Sequence, residues 1–146
     1  MEFYYNCNLK LDEFAHILDD PTECYKFYWF DAILTFVEAG ETVLFFNDLF
    51  DEMIADAWFS VAEHHLHLGP KNVDGEVKNS LERAVIALKQ NDESLSFDSK
   101  QQVLKYVKAH QELVRVPKNQ LLSNVPYRLL SAFMDDIGGN DRIWDQ

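Results

Sequence analysis

Apolar residues recur along this chain mostly with helical rather than strand spacing. In "LKLDEFAHIL" (9–18), Leu11, Phe14, Ile17 and Leu18 share one helical face and predict a short first helix. "DDPTE" then restarts the chain, with Asp20 as cap, Pro21 at a first helical position and Glu23 at the capping-box position. A second helix is expected from Pro21 to Ala39, stopping at Gly40. It is apolar over most of its circumference, so it is either central to the core or shared with a partner. Tyr28, Trp29 and Phe30 are its candidate anchors.

"ETVLFF" (41–46) reads as a short strand or an extended link. Asn47 is the expected cap of a third helix, with Asp48, Asp51 and Glu52 in its first turn, as the helix dipole prefers. That helix should continue through Trp58 and Val61 to "HLGP", where Gly69 and Pro70 forbid continuation. Beyond it, 74–91 and 97–114 each show one apolar face. Asp98 and Gln101 form the expected capping pair of the latter, and Pro117 is expected to close it. A loop, a helix starting at Pro126 and a stop at Gly138 and Gly139 complete the pattern. The expected architecture is therefore mainly α, a single domain over 1–146 with about five to six helices and at most one short strand near 41–46.

Composition agrees with one globular domain, since an apolar share of 47% fills a single core. No apolar run approaches the roughly 18–20 residues that span a bilayer, and the first residues lack the order of a secretory signal. A cytoplasmic protein is expected. Cys7 and Cys24 are too far apart for a redox CxxC pair and too few for a four-cysteine zinc site, so they read as reduced structural thiols.

Charge changes the picture more. The net charge is −12, and all of the excess lies in residues 1–70, where fourteen carboxylates face only Lys10 and Lys26. From Phe27 to Pro70 there is no Lys or Arg, so that surface should repel a phosphate backbone and attract a basic partner. Direct nucleic-acid binding is not expected there. A helix, strand, helix order over 25–67 would suit a winged helix, but the helix from 48 to 67 offers none of the Arg, Lys, Asn or Gln that read bases.

The densest chemistry is "AEHHLHLGPKN" (62–72). On a helix Glu63, His64 and His67 lie at spacings compatible with ligating a metal. They equally suit imidazoles near a helix C-terminus. No HExxH and no cysteine partner accompany them, so no metal or other cofactor is expected. Neither a phosphate loop, a GxSxG elbow nor a Cys/His dyad occurs, and no catalytic residue is assigned.

Three segments carry a resemblance. "YKFYWFDAILTFVEAG", "FFNDLFDEMIADAWFSV" and "NVPYRLLSAF", in order over roughly 22–133, resemble the amino-terminal helical region of bacterial HNH endonuclease domain proteins of the mobile-element or phage-defence type. The first carries Tyr25, Lys26, Tyr28, Trp29 and Phe30; the second runs from Ala57 to Val61; the third runs from Val125 to Phe133. Ser60 and Ala132 stand where that pattern has prolines, and the nuclease domain that would follow is not in this sequence. The resemblance implies a shared helical fold and no transferable catalytic residue, in a stand-alone relative or the amino-terminal part of a longer chain.

The resulting expectation is a non-catalytic module that binds a protein with a basic surface, or a second copy of the chain, and regulates or positions a nuclease or defence assembly. A DNA-mimic inhibitor is the alternative. It would present Asp48, Asp51, Glu52, Asp56 and Glu63 to a basic groove. A metal-dependent nuclease component built on Glu63, His64 and His67 is the third.

Overall fold

The computed structural model describes residues 24–71 and 73–130. Within them the protein is mainly helical, with five α-helices and no sheet. They are α1 (Tyr25–Glu38), α2 (Phe46–Trp58), α3 (Ser80–Asn91), α4 (Lys100–Ala109) and α5 (Gln111–Leu130). The expected helix over 9–18, the caps Asp20 and Glu23, Cys7 and the Gly138–Gly139 stop lie outside the described residues.

α2 is the hub, packing against all four other helices. From Leu49 to Trp58 every residue except Asp56 is buried, with Met53, Ile54 and Trp58 at its centre. The core role expected of the aromatic helix α1 is thereby shared out differently. α1 buries only Tyr25 and Ala32 fully, and Tyr28, Trp29, Ile33 and Phe36 pack against the core from the side. Val85 and Leu88 of α3, Val103 and Val107 of α4, and Val114 and Leu121 of α5 close the core around α2.

Several boundaries differ from expectation for identifiable reasons. α1 ends at Glu38, with Gly40 at φ +85° as the sequence indicated. Residues 41–45 form no strand and serve as the extended link. Asn47 does not cap α2: the helix starts two residues earlier than that cap requires, at Phe46 after Phe45, and the Asn47 side-chain oxygen accepts instead from Lys118 Nζ at 2.9 Å. α2 stops at Trp58 and widens into a π turn, Phe59–Glu63, in which His64 N–H donates to the Phe59 carbonyl. His65 then takes φ +54°, so this residue reverses the chain well before Gly69.

The expected helix over 74–91 begins only at Ser80: Asn79 caps α3, its side chain accepting from Glu82 N–H at 3.1 Å. At α4 the capping pair is shifted by one residue from the expected Asp98 and Gln101. Ser99 Oγ accepts from Gln102 N–H, and the Gln102 side chain accepts from Asp98 N–H. The expected helix over 97–114 breaks at His110, where the Gln111 amide donates both to the Val107 carbonyl and to Asp51 Oδ1, satisfying an α4 end group.

Pro117 and Pro126 were expected to end and to start helices, and both lie inside α5. Pro117 removes the donor for the Leu113 carbonyl, a loss of about 3 kcal/mol in a helix interior. Burial of Val114, Pro117, Lys118 and Leu121 against the other helices holds the helix through it.

Candidate interaction surface

The outer side of α1 is apolar. Phe27 and Leu34 lie two turns apart and Val37 three residues further, with exposures of 48, 40 and 55%. Val43 and Phe45 of the following link are about two-thirds exposed. Asp31 and Glu38, both exposed, follow Phe27 and Leu34 by four residues each, so their carboxylates flank the apolar row. The sequence placed the anchors elsewhere. Tyr28 and Trp29 turn toward the protein: Tyr28 donates to Ser60 Oγ at 3.3 Å, and Trp29 stacks on Phe46 and meets Phe50 at a tilt, with centroids 5.8 and 5.7 Å away. Phe30 is half-buried.

The acidic side chains proposed as a surface array are also relocated. Asp51 and Glu52 are 2 and 5% exposed. Asp51 pairs with Lys118, itself buried and bonded to Gln111 Oε1 at 2.5 Å. Lys100 Nζ lies 2.5 Å from both Glu52 and Asp56. Asp48 is half-buried and Glu63 exposed. The first half of the chain is therefore acidic partly because two of its neutralising lysines come from α4 and α5, a pairing invisible in one dimension.

Burial lifts the Asp56 carboxyl above its usual range, and Asp31 and Glu52 add to this, while the bond and charge of Lys100 oppose it. Lys100 would be lowered by burial, but its bonds and charge interactions with Asp56 and Glu52 more than reverse that, and it is raised. A raised acid binds its proton in the folded state before the unfolded chain does. Ionised Asp56 therefore costs stability above its folded pKa, and the cost vanishes below the unfolded value of 3.8. Lys100 acts oppositely: its contribution is complete below 10.5 and is lost as pH rises through its higher folded value. Asp56→Asn is expected to gain stability relative to the native chain as pH rises from 4 to 7, read by urea unfolding at both pH values. A difference independent of pH would contradict the assignment.

The histidine segment is taken apart by the early end of α2. His67 is no longer on a helix with Glu63 and His64, so the ligand spacing expected from the sequence does not form. His67 Nδ1 lies 2.7 Å from Glu82 Oε1, and Leu68 N–H donates to Glu82 Oε2 at 2.9 Å. Glu63 and His64 are exposed. Among the described residues no group of three or more His, Cys, Asp or Glu is placed to hold a metal. No described helix is long and apolar enough to cross a membrane. Cys24 is a free, half-buried thiol whose N–H donates to the Leu68 carbonyl.

No family model matches the chain, and no curated protein or solved structure matches it either.

What sequence reasoning missed was the outer α1 row and the lysines. A signal for the first existed: Phe27, Leu34 and Val37 form a heptad-like row opposite Tyr25 and Ala32. Nothing in the sequence marked Lys100 and Lys118 as partners of α2.

Proposed function

We propose that this protein is a non-catalytic helical interaction module whose outer α1 face docks an apolar, basic-flanked surface of a protein partner. The observation that carries the proposal is the exposed row of Phe27, Leu34 and Val37, flanked by Asp31 and Glu38 in a segment without Lys or Arg from 27 to 70. Apolar side chains in such a row supply affinity, and the carboxylates select the sign of the partner's rim. The burial of Asp51 and Glu52 and the pairing of Asp56 leave the DNA-mimic alternative without three of its five carboxylates.

The context of a nuclease or defence assembly comes from the resemblance to the amino-terminal regions of HNH endonuclease domain proteins. Two of the three resembling segments meet in the fold, where Tyr28 of the first donates to Ser60 of the second. Such aromatic segments support a shared fold more directly than a shared task.

The test is affinity capture from the native cell at low and high salt, with the native chain against Phe27→Ser/Leu34→Ser. Both positions are on the outer side and nearly half exposed, so folding should be retained and is checked by thermal melting. Capture that resists salt and falls at least about ten-fold in the double variant is expected. Capture that disappears at high salt and ignores the variant would favour an electrostatic partner mode instead.

A further inference from the structure

The second half of the chain carries a cleft lined by α3, α5 and residues 76–78, none of which belongs to the α1 surface. Its volume of about 590 Å³ lies within the roughly 300–1,000 Å³ usual for small-ligand sites. Ile86, Leu113, Val116 and Pro117 give it an apolar lining, and Lys78, Arg83 and Glu76 bring two cations against one anion. This is the reverse of the charge balance around α1.

Arg83 is positioned without being neutralised. Its Nη1 donates to Gln120 Oε1 at 3.0 Å, and the same oxygen accepts from Ser80 Oγ at 3.1 Å, tying the start of α3 to α5. An amide orients the guanidinium but leaves its charge in place, and among the described residues no carboxylate pairs with Arg83 or Lys78. The approach to α3 is shaped too. Lys71 and Val77 form an antiparallel backbone pair around Gly75 at φ +79°, which sets Lys78 beside the Asn79 cap. A preset guanidinium fork suits a planar carboxylate.

We propose that this cleft binds an organic carboxylate bearing an apolar tail, with Arg83 and Lys78 receiving the carboxylate and Ile86, Leu113, Val116 and Pro117 the tail. A free acyl acid and the C-terminus of an apolar peptide share this chemistry. The proposal stands apart from the α1 reading, because the two use different helices and opposite charge.

The experiment titrates the full chain with octanoate and with N-acetyl-Leu-Leu, each against its carboxamide, by calorimetry and backbone amide NMR. Each acid is expected to shift resonances of α3 and α5 and to bind at least about ten-fold more tightly than its amide. Arg83→Gln should weaken the acids about ten-fold, with melting confirming that the fold is retained, and Val116→Asp should weaken them through the tail. Tighter octanoate would indicate a free acid as the ligand, and a tighter peptide would indicate a protein C-terminus; both support the site. Phe27→Ser/Leu34→Ser should bind the acids normally, which separates failure here from failure of the α1 surface. Equal binding of acid and amide, shifts confined to other helices, or an Arg83→Gln variant of unchanged affinity would overturn the proposal.

Discussion

Lys118→Met is expected to destabilise the fold by about 3–5 kcal/mol, because it strands the buried Asp51 carboxylate without its counter-charge. Lys118 is 6% exposed and reaches across to the start of α2, donating to the Asn47 side chain and to Gln111 Oε1 as well as pairing with Asp51. Removing the ammonium leaves the buried Asp51 carboxylate with only the Gln111 amide as a partner, and a buried charged group costs more than the roughly 1–3 kcal/mol of an unmet neutral one. Asp51→Leu/Lys118→Met should recover much of the loss, since an apolar pair of similar volume is often as stable as a buried ion pair. Urea unfolding of the two variants measures the coupling. If the single change costs less than about 1 kcal/mol, the range for surface ion pairs, the network is solvated and the burial of Asp51 is mistaken.

The second large effect is expected at Trp58. Its side chain is fully buried at the end of α2 and meets the Phe97 ring edge-on, with centroids 5.1 Å apart; Phe97 in turn contacts Tyr106 of α4. Trp58→Ala should cost about 3–5 kcal/mol through lost burial and the cavity left behind. That is a large share of the roughly 5–15 kcal/mol that holds a domain together, so thermal melting should broaden or fall sharply. Trp58→Phe keeps an aromatic edge against Phe97, and its loss should be clearly smaller. Equal losses for the two variants would show that shape at this position matters less than the packing implies.

The two lysines also explain why the helices were more legible than the site. α1 and the inner face of α3 follow from local rules: the Gly40 stop and the row of Leu81, Val85 and Leu88 act within a few residues, whereas the start of α3 at Ser80 behind the Asn79 cap, well after the expected Asp74, did not show in the apolar pattern. Pro117 misled because its local cost is real, yet packing against α2 and α3 outweighs it. The histidine segment misled because a single residue, His65 at positive φ, ended the helix before its ligand spacing could form.

Read alone, the sequence determined that the described chain is helical, where α1 stops, and that residues 27–70 carry no cation, since periodicity, turn chemistry and charge counts are properties of neighbouring residues. Tertiary structure decided which helix is the hub, which carboxylates are buried and which aromatic face looks outward. Those outcomes depend on Lys100 and Lys118 meeting α2 from about 45 to 70 residues away, and on α1 having apolar residues on two opposite faces of which only one can lie against α2.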